Sequence, residues 1–151
     1  DYHQKKDLFS ISLIDFMANS DYKTLMLHKH RIEYTYDCFE CKINGRSQTM
    51  TCRGILQPLD YIEPYEIEIR VTSRLAPRVC IKNPKVPYNK DIHMFKNGNL
   101  CLFYPRDMLW NSSTSITEYT IPWIIEWILY YELYKISGIW EGPAAPHRII
   151  E

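Results

Sequence analysis

Residues 65–73, YEIEIRVTS, alternate apolar and polar side chains along most of their length. Successive side chains on a strand point to opposite faces. Ile67, Ile69 and Val71 therefore share one face, and Glu66, Glu68 and Arg70 share the other. This pattern marks a half-buried strand, which needs neighbours to pair with and a layer to cover its apolar side. The flanking sequence supplies both. RIEYTYDCFECKI, at 31–43, is β-branched, aromatic and partly alternating, which predicts a strand. NGRSQ, at 44–48, predicts an Asn-Gly hairpin turn, after which TMTCRGILQPL pairs back. RVCIK, at 78–82, predicts a short fourth strand.

Helical patterns stand on either side of these strands. In DLFSISLIDFMANSDY the apolar residues at 9, 13, 16 and 17 follow the spacing of one helix face. Asp7 is expected to cap this helix, and Asn19-Ser20-Asp21 to end it. Residues 83–88 are broken by prolines. Thr120 is then expected to cap a second helix with Pro122 in its first turn, stopped by Ser137-Gly138. That helix is apolar on most sides and should be well buried. Trp123, Trp127, Tyr130 and Tyr134 cannot all face one core, but half-exposed tyrosines are ordinary. The order is helix, four-strand antiparallel meander, loop, helix, which implies an α+β fold. With 151 residues the expectation is a single domain over 1–151.

Composition excludes several roles. Lys plus Arg and Asp plus Glu each number 18, so no basic surplus points to nucleic acid. The most apolar run, IPWIIEWILYYELYKI, contains Glu126, Glu132 and Lys135 and is too short and charged for a membrane span. Five cysteines without a recognisable leader predict free thiols in a reducing, cytoplasmic setting. CFEC, at 38–41, resembles half a zinc site but has no second ligand pair. No metal and no cofactor are expected.

One stretch carries the chemistry. In HMFKNGNLCLFYP, at 93–105, glycine and two asparagines precede Cys101. These are turn residues that can expose a thiol, and Trp110 follows downstream. Here the chain resembles the ubiquitin-conjugating enzymes. Their signature is His-Pro-Asn, a short turn, then Gly-x-x-Cys-Leu and a later tryptophan. His93, GNLCL at 98–102 and Trp110 match it. His-Pro-Asn has become His93-Met94-Phe95, so the asparagine that would stabilise the oxyanion is absent from its usual place. The turn is shorter than the family's, and there is one long helix where eukaryotic members have more.

GNLCLFYP, IPWIIEWILYYELY and GIWEGPAAPH together resemble the stand-alone conjugating-enzyme-like proteins of short type II CBASS anti-phage operons. The resemblance implies a UBC-like fold and an acyl (thioester) transferase. The implied partner is the C-terminus of a cGAS/DncV-like nucleotidyltransferase, with neither nucleic acid nor membrane involved. Cys101 is the implied nucleophile, since sulfur both attacks and leaves well. His93 is implied to brace the loop. Asn97 and Asn99 are both candidates for the missing oxyanion donor, Asn99 ahead because it lies two residues from the cysteine. His147, in the tail, has a suitable pKa for general base work. Trp110 is expected to pack the loop. The alternatives are a non-catalytic UBC-like binding module and an unrelated thiol hydrolase.

Overall fold

The computed structural model describes residues 21–103 and 109–143. Residues 21–35 form a helix, α1. This corrects two expectations. Asp21, expected to help end the first helix, is itself helical, and 31–35 is helix rather than strand; Asn19 and Ser20 lie outside the described residues. The reason is periodicity across 22–36. Leu25 and Ile32 are fully buried and Tyr36 packs against the same core, giving a stripe at helical spacing that outweighs the β propensity of Ile32, Tyr34 and Thr35. The Asp7 cap and the apolar positions 9, 13, 16 and 17 lie outside the described residues.

Four strands follow: β1 (Phe39–Asn44), β2 (Thr49–Leu56), β3 (Tyr65–Thr72) and β4 (Arg78–Asn83). They pair antiparallel in the order β1-β2-β3-β4, the expected meander. Glu33 ties α1 to the sheet. Its carboxylate accepts from Lys29 Nζ at 2.7 Å and from the Cys41 N–H at 2.9 Å. The first hairpin turn differs from the Asn-Gly type. Gln48 carries the left-handed backbone, with φ 53°. Asn44 acts through its side chain, whose Oδ1 accepts the N–H groups of Arg46 and Ser47. The two strand ends, Asn44 and Thr49, leave a loop longer than the two residues a tight Asn-Gly turn spans.

On the inner face Ile67, Ile69 and Val71 are buried as expected, and Tyr65 is buried with them. Register lines up Cys41, Cys52, Ile69 and Val79 in one row of that face. Cys41 and Cys52, directly opposed on adjacent strands, form a disulfide. The expectation of five free thiols is thus overturned for this pair. Cys38, Cys80 and Cys101 remain free.

The second helix, α2, spans Ile121–Ser137 and lies against the sheet. Gly138, at φ 73°, stops it, with its N–H on the Tyr134 carbonyl. Thr120 stands at the expected N-cap position with Pro122 in the first turn, but its backbone is already helical and its side chain makes no capping hydrogen bond. A wider turn, Ile116–Thr120, precedes α2, and Ser115 Oγ accepts the Glu118 N–H at its start. Ile121, Ile124, Trp127 and Ile128 are buried, whereas Leu133 and Ile136 are exposed. Helix and sheet are also joined by the Tyr65 hydroxyl, which donates to the Glu132 carboxylate. Among the described residues no helix is long and apolar enough to cross a membrane.

Candidate functional site

The chain leaves β4 through a proline-rich loop. Asn89 Oδ1 accepts the Asp91 N–H at 2.9 Å and so caps a short 3-10 turn, Lys90–Ile92. His93 ends that turn in the left-handed region, with φ 55° and ψ 59°. Residues 93–101 then double back as a small hairpin, in a stretch where the sequence shows no strong periodicity. The Phe95 N–H donates to the Asn99 carbonyl at 2.8 Å, and the Cys101 N–H to the His93 carbonyl at 2.9 Å. Gly98 closes the tip at φ 89°, with its N–H on the Phe95 carbonyl. A short turn with glycine in the left-handed position is a common hairpin solution. The Leu100 N–H reaches the Val79 carbonyl at 2.8 Å, and Asn99 sits opposite Cys80, so the hairpin is fastened to the edge of β4.

On the returning arm Leu100 is buried, whereas Asn99 and Cys101 on either side of it are half-buried, as alternation along an extended arm would place them. Cys101 is half-buried, and burial pushes its thiol above the ordinary value. His93 is mostly buried, faces Cys101 across the hairpin, and is linked to it through the backbone. Asn99 has its N–H on Asn97 Oδ1 at 3.0 Å, so the Asn97 carbonyl oxygen is engaged inside the turn. His147 lies outside the described residues. The nominated residues other than His147 therefore meet on one hairpin.

The aromatic residues of α2 hold the segments on either side of this hairpin. Phe103 stacks on Trp123 at 5.7 Å and meets Trp110 at 5.9 Å, so Trp110 packs the loop. Tyr134 OH accepts from Asn89 Nδ2 at 2.8 Å. Buried Trp127 donates its indole N–H to the Ile92 carbonyl at 2.9 Å. Trp140, beyond the helix, places its ring 5.7 Å from His93, 5.9 Å from Trp127 and 5.8 Å from Tyr130. The sequence reading missed this role of Trp140. The signal was there, since an aromatic shortly after a glycine helix stop is placed to fold back on the helix.

The outer face of the sheet carries a second unanticipated feature. Glu68, assigned to the exposed face by alternation, has a side chain only 1% exposed. Burial pushes its carboxyl up, but hydrogen bonds from Arg70 Nε at 2.8 Å and Arg53 Nε at 3.0 Å outweigh that and hold it below the usual range. It pairs with Cys80, which in turn sits opposite Asn99. A buried carboxylate held by two exposed arginines thus lies beside the edge to which the hairpin is fastened. Cys38 is exposed and Cys41 lies in the disulfide, so CFEC does not present two free thiols together.

Residues 28–148 match a family described as Type II CBASS E2 protein. The chain belongs to that family. No curated protein shows a significant match to it. It is accordingly an E2-like protein of CBASS anti-phage defence, related in fold to the ubiquitin-conjugating enzymes and working with other CBASS proteins. The matched span includes α2, the hairpin and the tail that carries His147.

Proposed function

We propose that this CBASS E2 protein is a thioester-forming transferase whose nucleophile is Cys101. Its partner in this reading is the C-terminus of a cGAS/DncV-like nucleotidyltransferase. The Cys101 thiolate attacks the activated terminal carbonyl, the leaving group departs with its electron pair, and the acyl group stays on sulfur. His93 braces the loop. Asn99, on the same side of its arm as Cys101, offers an amide donor to the developing oxyanion. His147, an imidazole in the tail and so able to act as a general base, receives the thiol proton. The observation that carries this reading is the hairpin, which turns Cys101 away from buried Leu100 and bonds its N–H to His93.

Co-expression with the nucleotidyltransferase tests it. The wild type should yield an adduct cleaved by excess thiol or hydroxylamine, as a thioester is and an amide is not. Cys101→Ala should abolish the adduct, and Cys101→Ser should give a more thiol-resistant ester or none. His147→Ala should slow adduct formation with little change in thermal stability. An adduct that survives Cys101→Ala, or no thiol-sensitive species at all, defeats the reading. The half-burial of Cys101 fits one second reading, a module that binds the same C-terminus without bonding to it. That module would co-purify with its partner equally well with or without Cys101.

A further inference from the structure

We propose that Trp127 and Trp140 are positioning residues for Cys101, acting through the backbone of His93. The inference rests on Cys101 being the acyl acceptor, but its central observable does not.

His93 is a non-glycine residue in the left-handed region. Such a residue persists only where its surroundings over-determine it. The two tryptophans supply part of that constraint here. The Ile92 carbonyl and the His93 N–H belong to one peptide plane, and buried Trp127 holds that plane with its indole N–H at 2.9 Å. Rotation about the next bond sets φ of His93, and the imidazole beyond it lies against the Trp140 ring at 5.7 Å. With the plane held on one side and the ring on the other, the His93 carbonyl points at the Cys101 N–H. A return of His93 to an ordinary conformation would swing that carbonyl away and release the arm that carries the nucleophile.

Trp140 is itself held by packing. Its indole Nε1 is buried without a hydrogen-bond partner among the described residues. Gly142 closes over the ring so tightly that a Cβ there would stand 2.8 Å from Nε1. The Leu100 N–H provides an internal control. It belongs to the same arm but bonds to Val79 on β4, independently of His93.

Amide hydrogen exchange on the full chain, read by NMR, tests this directly. In Trp140→Leu, and separately in Trp127→Phe, which removes the indole donor but keeps a ring, exchange at Cys101 should accelerate about tenfold while Leu100 is nearly unchanged. Adding His93→Asn to Trp140→Leu should restore protection, because asparagine adopts the left-handed conformation readily. Unchanged exchange at Cys101, acceleration of both amides together, or no restoration by asparagine would each overturn the inference. With the nucleotidyltransferase present, both tryptophan variants should lower kcat for thioester formation and leave KM for the partner unaltered. A wild type that forms no thioester while these amides respond as described would sink the proposed function and leave the inference standing.

Discussion

The amide N–H of Cys101 donates to the carbonyl of His93 at 2.9 Å, joining the two arms of one hairpin. The hairpin makes few backbone bonds of its own, and its tip depends on Gly98 at φ 89°. A Cβ at that position would meet nothing within 4 Å, so any penalty for adding one is conformational rather than steric. Gly98→Ala should therefore cost about 1–2 kcal/mol. Gly98→Asn should cost less, since asparagine tolerates the left-handed region. Urea unfolding of the two variants checks the ranking, and equal stability of alanine and glycine here would contradict it.

Burial pushes the Cys101 thiol above its ordinary value. The folded state then holds the thiol proton more tightly than the unfolded state does. The associated stability is present below the unfolded thiol pKa and is lost as pH rises through the higher folded value. Reactivity runs the other way. Alkylation of Cys101 by iodoacetamide, followed by peptide mass spectrometry, should still be climbing with pH beyond about 8.5, where an unperturbed thiol is half ionised. A plateau well below that point would mean an activated thiolate and would contradict the burial seen here.

Cys41 and Cys52 are 1% and 0% exposed and bonded across β1 and β2. Cys41→Ser should lower stability by about 2–4 kcal/mol, the usual range for a lost disulfide. Reductant should lower the thermal midpoint of the wild type but not of Cys41→Ser. Thiol titration in denaturant, before and after reduction, checks the bond itself. An unchanged count would remove both expectations.

Glu68 is buried between two exposed arginines. Its lowered carboxyl pKa means that its contribution is complete above the ordinary carboxylate range and is lost as pH falls through the folded value. Glu68→Gln should cost about 1–3 kcal/mol near neutral pH. Its stability should also fall less steeply in acid than that of the wild type. Parallel acid unfolding curves for the two proteins would show that the arginines contribute nothing through this carboxylate.

The sequence by itself determined the meander, the inner face of β3, the stop of α2 at Gly138 and the turn chemistry ahead of Cys101. Each rests on local rules, namely alternation, glycine geometry and the residues a tight turn accepts. Only the tertiary structure decided the rest. Residues 31–35 read as strand from their β-branched and aromatic side chains, but burial of Leu25 and Ile32 on one stripe makes them helix. Thr120 does stand at the N-cap of α2, yet the side-chain capping bond is made by Ser115, because an extra turn precedes α2. Glu68 read as exposed on alternation, and the guanidinium groups of Arg53 and Arg70 cover it. His93 and Cys101 stand eight positions apart in the sequence, and their register depends on a left-handed residue held between Trp127 and Trp140. Contacts between distant segments leave no periodicity in the chain, because packing depends on where elements meet and not on the order in which their residues are written.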